Sequence, residues 1–338
     1  MVMREFDSVL LDLDGVVYAG PHAVPGAVSA LDALLHENLP YGFVTNNASR
    51  TAADISDQLV DLGLSSRPEQ VVTSGIVAAR ALGEALPTGS RVLVIGSPAL
   101  ADLVAEAGLE PVHRFADEPA AVVQGFSKEI GWHQIAEACQ AVASGLAWWA
   151  TNLDFTMPTD RGLLPGNGAF VSIVAETTGR RPQVAGKPGA AMLRTAAEVI
   201  GGSRPIMVGD RLDTDIAAAV AAGIDSALVL TGIHDVHDAV RAPRGLRPSR
   251  IIGVLPELLD PVPEVTVDGD TARCGEASAH LREGVLTAAG PAVQAANAAL
   301  ALVVELSDDE SANLVIADSV PRRTEAVVEG GAESVRHR

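Results

Sequence analysis

Apolar and polar positions follow two rhythms over the first 260 residues. Short apolar runs at 9–11, 41–44, 205–208 and 226–230 read as buried strands, each running into polar or glycine-rich residues. Between them lie stretches of helical spacing. Val28, Leu31, Leu34 and Leu35 mark one helix; 51–62 and 214–222 mark two more, ending at Gly63 and Gly223 in the C-cap position. This alternation predicts an α/β fold with a doubly wound parallel sheet. The middle of the chain carries its own strand (92–95), helix (98–107) and strand (121–123), followed by a loop at 151–168 rich in Pro, Gly and Asp. It reads as an inserted α/β unit over 83–182, which makes the core discontinuous, 1–82 with 183–260. Beyond the Pro261-Val262-Pro263 break the sequence turns rich in Ala, Glu and Val, with one helix predicted at 291–306. Residues 261–338 are expected to be a small C-terminal extension, outside the chemistry, that packs on the core or against a second copy of the chain.

Composition sharpens this picture. A chain of 338 residues that is 48% hydrophobic can bury the cores of two domains. No uninterrupted apolar run of eighteen residues occurs, so no membrane partner is expected. The first fifteen residues carry acids and lack a signal-peptide layout, which predicts a cytoplasmic protein. Cys139 and Cys274, the two cysteines, then read as free thiols. The net charge of −19 excludes nucleic acid as a partner, because binding a polyanion rests on neutralising its phosphates. A small phosphorylated ligand remains open, since a metal and one local cation reverse the field at a single site. Of the 24 cations 22 are Arg, so Lys128 and Lys187 stand out as positions where the chain writes Lys instead.

Four segments at or just after predicted strand ends, the ligand-binding edge of an open α/β sheet, concentrate chemistry. Asp12-Leu13-Asp14-Gly15-Val16 sets two acids beside a buried strand, where they repel each other unless a cation relieves them. Carboxylate oxygens are what magnesium prefers. Read as structure, the pair is a polar turn. Phe43-Val44-Thr45-Asn46-Asn47 offers a hydroxyl and backbone N–H groups to an oxyanion, or simply an N-cap. In Gly186-Lys187-Pro188 a compact ammonium can balance carboxylates and hold a phosphate oxygen. The fourth segment, 208–216, places Asp210, Asp213 and Asp215 after a strand. These acids supply the second half of a metal site, or decorate a helix N-terminus.

Taken together and in this order, D-x-D-G-V, T-N-N, G-K-P and G-D-x-x-x-T-D-I resemble the haloacid dehalogenase (HAD) superfamily of aspartate-nucleophile phosphatases. The chain is more narrowly similar to the branch with a C2-type cap on a Rossmann-like core, which includes phosphatases for glycerol 3-phosphate, phosphoglycolate, pyridoxal phosphate and nucleotides. The likeness covers about 1–260 and extends to the 151–154, 164–168 and 230–232 segments; residues 262–338 match nothing in the family pattern. Spacing agrees with a cap in the middle. Only 30 residues separate Asp14 from Thr45, whereas 141 separate Thr45 from Lys187, enough for a domain.

The resemblance implies a role for each residue. Asp12 attacks phosphorus to form an aspartyl-phosphate, and Asp14 protonates the leaving alkoxide and then deprotonates water. Magnesium is held by Asp12, the Asp14 carbonyl and Asp210, with Asp215 and Asp213 in support behind them. Thr45, the Asn46 amide and Lys187 bind the phosphoryl oxygens, and Asn152, Asp154 and Arg161 of the cap loop touch the leaving group. Asp14 tells against a dehalogenase, the absence of D-K-T-G against a cation pump, and the cap position against a phosphomutase. A non-catalytic phosphometabolite-binding protein would need a decayed site, and all four segments are intact. The expected substrate is a small phosphorylated metabolite, glycerol 3-phosphate first. His234 and His237 lack the neighbouring Cys or His of a zinc site and read as loop residues. The three tryptophans read as packing anchors.

Overall fold

The computed structural model describes residues 6–159, 161–261 and 263–323, and the chain divides into two compact units. The first comprises Met1–Gly42, Leu62–Ser65 and Ile200–Arg338. Its parallel sheet runs, in spatial order, Arg250–Ile252, Asp225–Val229, Pro205–Gly209 and Ser8–Leu11. Val9, Leu10, Leu11, Met207, Val208, Leu228 and Val229 are wholly buried, which is why these strands are written as continuous apolar runs. Register decides where the chemistry emerges. Leu11 lies opposite Val208 and Gly209 opposite Leu228, so the residues that follow all three strands leave the sheet along one edge.

The same unit contains a second sheet built from the residues after 261. Val265–Asp268, Thr271–Cys274, Ala277–Arg282 and Val285–Ala289 pair antiparallel in sequence order, and Val315–Ile316 adds a parallel strand. Helix Ala292–Val303 covers it. Only the helix was expected. Apart from Leu286, the inward residues of these strands are small (Ala272, Cys274, Ala277, Ala279, Ala288), so their two-residue alternation is faint and their intrinsic strand preference low. They share one hydrophobic core with Leu212, Ile216, Leu228, Leu230, Val236 and Val240 of the N-terminal half of the unit. Asn297 seals the junction. Its Oδ1 accepts from the Ile251 N–H at 2.9 Å and its Nδ2 donates to the Ile251 carbonyl at 2.8 Å, occupying the edge of the parallel sheet.

The second unit comprises Phe43–Asp61 and Ser66–Val199. Its five-stranded parallel sheet has the order Gln183–Val184, Ala147–Ala150, Ala121–Gln124, Arg91–Ile95, Glu110–Val112. In the same unit Phe43, Val44 and Thr45 pair in parallel with Val71, Val72 and Thr73. Trp148 and Trp149 anchor the sheet, whereas Trp132 is 78% exposed and lies edge-on to His133, so it is no packing anchor. The 151–168 stretch is not all loop: Thr156–Thr159 and Gly162–Pro165 form an antiparallel hairpin. Both cysteines are free, Cys274 buried and Cys139 half-buried. Among the described residues no helix is long and apolar enough to cross a membrane.

Candidate active site

In the first unit three loops meet at the exit edge of the parallel sheet. Asp12 follows Leu11 directly, and its N–H still donates to the Val208 carbonyl at 2.9 Å. The chain then wraps around one acceptor: the Leu13 carbonyl receives the N–H groups of Val17 and Tyr18 at 2.9 and 3.1 Å. Asp12 is thereby turned inward and Leu13 into the core, while the Asp14 side chain stands exposed. Gly15, at φ 82°, closes the turn, and a Cβ there would also come within 2.6 Å of Asp210 Oδ2. Glycine is required on both counts.

Asp210 follows the neighbouring strand and is 2% exposed; Asp215 is wholly buried. Each of Asp12, Asp210 and Asp215 offers a carboxylate oxygen, and all three oxygens lie within 4.8 Å of one another. Three acids this close and this buried repel strongly unless a cation joins them, and an all-oxygen donor set suits a hard divalent ion. The residues present therefore fit magnesium. Asp215, placed behind the metal by its resemblance, has its carboxylate in the cluster itself, and its Oδ2 also accepts the Arg211 N–H at 3.1 Å. Asp213 is not brought in. It is half-exposed and held by Arg211 through contacts of 3.0 and 2.6 Å, and this guanidinium keeps its carboxyl below the usual range.

The third loop, 230–235, has the least obvious sequence and ties the other two together. The Ile233 N–H donates to Asp210 Oδ2 at 2.8 Å and the His234 N–H to the Asp210 carbonyl at 3.1 Å. Thr231 Oγ1 donates to the Gly15 carbonyl at 2.6 Å. His234 Nδ1 accepts the Leu212 N–H at 3.1 Å, and the buried His237 sets Nε2 3.0 Å from the Val320 carbonyl. A Cβ on Gly232 would sit 1.9 Å from Asp210 Oδ2, so only glycine lets this backbone approach. The one sequence cue to this loop was Leu230-Thr231-Gly232.

Within the second unit Thr45, Asn46, Asn152, Asp154 and Lys187 are brought together. Lys187 is 3% exposed, unlike the exposed Lys128, and its Nζ donates to the Val44 carbonyl at 3.2 Å. Asn46 grips the Lys187 backbone from both sides, accepting its N–H at 2.8 Å and donating to its carbonyl at 3.1 Å. The Asn46 side chain also reaches Asp154 at 3.2 Å, and the buried Asn152 donates to the Asn46 carbonyl at 2.7 Å. Thr45 Oγ1 accepts the Asn47 N–H at 3.1 Å. Arg161 is exposed in the hairpin turn.

Two family models match, haloacid dehalogenase-like hydrolase over residues 9–110 and HAD hydrolase-like over 184–258. The chain is 47% identical over 250 residues to D-glycerol 3-phosphate phosphatase of Mycobacterium tuberculosis, covering 74% of this chain and 70% of that one. This chain belongs to the haloacid dehalogenase-like hydrolase family. An acid sugar phosphatase of Staphylococcus aureus is 35% identical over 238 residues, 70% of this HAD hydrolase and 91% of the relative. The crystal structure of glycerol phosphate phosphatase from M. tuberculosis in complex with magnesium superposes with a TM-score of 0.81 at 37% identity, covering 97% of both chains. That coverage includes most of the residues after 261, so this solved relative shares them, whereas the family models end at residue 258, as expected of a stretch outside the family pattern. The HAD hydrolase is an enzyme, and its reaction is that of a phosphatase.

Proposed function

We propose that the chain is a magnesium-dependent phosphatase of glycerol 3-phosphate, working through an aspartyl-phosphate on Asp12. The observation that carries the reading is the cluster of Asp12, Asp210 and Asp215 carboxylates in a chain 47% identical to D-glycerol 3-phosphate phosphatase. Magnesium would be held by the Asp12 and Asp210 carboxylates and the Asp14 carbonyl, with Asp215 beside them. When bound there, it would neutralise charge on the phosphoryl group. Asp12 attacks phosphorus and the P–O bond to the leaving group breaks. Asp14, whose side chain is exposed, gives its proton to the departing alkoxide and then takes one from the water whose oxygen attacks phosphorus and breaks the bond to Asp12, releasing phosphate. Thr45, the Asn46 main-chain amide and Lys187 hold phosphoryl oxygens. The Asn46 side chain is occupied in fixing Lys187. Residues 83–182 act as the cap over the leaving group, presenting Asp154 and Arg161, and 1–82 with 183–260 as the catalytic core. The enzyme works in the cytoplasm on a small metabolite, consistent with its two free thiols.

Assaying a panel of phosphorylated metabolites with magnesium tests the substrate. Glycerol 3-phosphate should give the highest kcat/KM; a clear preference for phosphoglycolate, pyridoxal phosphate or a nucleotide would replace it. Asp12→Asn should lower turnover more than about a hundredfold with the fold intact, since an amide is a poor nucleophile.

A further inference from the structure

The loop that orients Asp210 is itself held from outside by the C-terminal part of the chain. The strap at 317–323 starts on the second sheet, where the Ala317 N–H donates to the Leu286 carbonyl at 2.9 Å and Val320 is buried in the shared core. From that anchor the next residues turn onto the 230–237 segment. Arg322 pairs with Asp235 at 2.8 Å, and its carbonyl accepts the Val236 N–H at 3.1 Å. Half-buried Arg323 spreads its guanidinium over three acceptors of one turn, donating to the carbonyls of Leu230, Gly232 (2.8 Å) and Ile233 (3.3 Å). The Leu230–Ile233 turn has its carbonyls gathered by Arg323, while its Ile233 N–H points the other way, to Asp210 Oδ2. A planar fork with five donors is suited to holding several carbonyls in one geometry, and an ammonium is not.

We propose that Arg323 is a positioning residue for the metal site: by fixing the carbonyls of the 230–233 turn it aims the Ile233 N–H at Asp210 and so sets the carboxylate that receives magnesium. The inference rests on the magnesium reading above. It assigns the C-terminal segment a part in the chemistry, in place of the purely packing role that its sequence suggested. Groups bonded directly to a metal ligand commonly change metal affinity by about 10- to 100-fold when removed, and Arg323 acts one bond further out, through the turn, so the lower end of that range is expected.

The test is calorimetric titration of the full-length, metal-free protein with magnesium alone, on wild type, Arg323→Ala and Arg282→Gln. Arg282 lies in the C-terminal sheet and forms an exposed pair with Asp270, so it controls for loss of a C-terminal arginine in general. Arg323→Ala should bind magnesium about tenfold more weakly. Arg282→Gln should bind as wild type does, and the kcat of Arg323→Ala should recover at saturating magnesium. Wild-type affinity in Arg323→Ala, or an equal loss in Arg282→Gln, overturns the inference and leaves the magnesium reading standing. Failure of the wild-type protein to bind magnesium overturns both. Should Arg323→Ala not fold, Arg323→Gln is read by the same criterion.

Discussion

Gly232→Ala puts the construction of the site under direct test. The added methyl would lie 1.9 Å from Asp210 Oδ2 and 2.4 Å from both Asp210 Cβ and Cγ. Carbon–oxygen contacts open to at least about 3 Å, so either the Asp210 carboxylate or the 230–234 backbone must retreat by roughly 1 Å. Neither can do so independently. Asp210 is buried and bonded to the Ile233 and His234 N–H groups, while the turn is bonded in its turn to Gly15 and Arg323. The expected stability cost is that of overpacking, about 1–3 kcal/mol. The functional cost should be larger, because a misplacement of about 1 Å can slow a positioned reaction by about a hundredfold. Gly245→Ala is the control: nothing lies within 4 Å of the Cβ it would add, so it should be neutral or slightly stabilising. The assay is kcat/KM against magnesium concentration, with thermal melts of the same preparations. Gly232→Ala retaining activity within about twofold of wild type at every magnesium concentration would refute the argument that this turn sets Asp210.

Other consequences are open to measurement. Truncation after Asp260 removes the C-terminal half of a core that includes Leu228, Leu230 and Val236, so the remainder should be insoluble or lack a cooperative melt; a soluble fragment melting within a few degrees of wild type would contradict this. Asn46→Ala strips the partner from the Lys187 N–H and carbonyl, which should lower stability by about 1–3 kcal/mol and raise KM for the phosphorylated substrate; an unchanged denaturant midpoint would show that the grip is dispensable. Asp213 has its carboxyl lowered by Arg211, so its stabilising effect is present above the ordinary carboxylate pKa of about 3.9 and fades as pH falls through the lower folded value. Arg211→Gln should therefore cost at most about 1 kcal/mol near neutral pH, the pair being half-exposed, and the difference from wild type should shrink in acid.

Residue order alone carried the α/β class, the strands ending near Leu11 and Val208, and the acids that follow them, because buried parallel strands must be written as apolar runs and their ligand-bearing loops as polar breaks. It also singled out Lys187, which stands buried in an otherwise Arg-rich chain. Three things were decided only by tertiary structure. Which acids converge was one: Asp213 and Asp215 are two residues apart, yet one pairs with Arg211 at the surface and the other joins Asp12 and Asp210, a choice made by the turn at 212–216. The C-terminal sheet was another, since strands whose buried positions are mostly alanine give too weak an alternation to announce themselves, and their burial exists only against Leu228, Leu230 and Val240. The last was the bond network of 230–237 and 317–323. A guanidinium gathering three carbonyls some ninety residues away leaves no local pattern, because its partners are backbone atoms that every residue possesses.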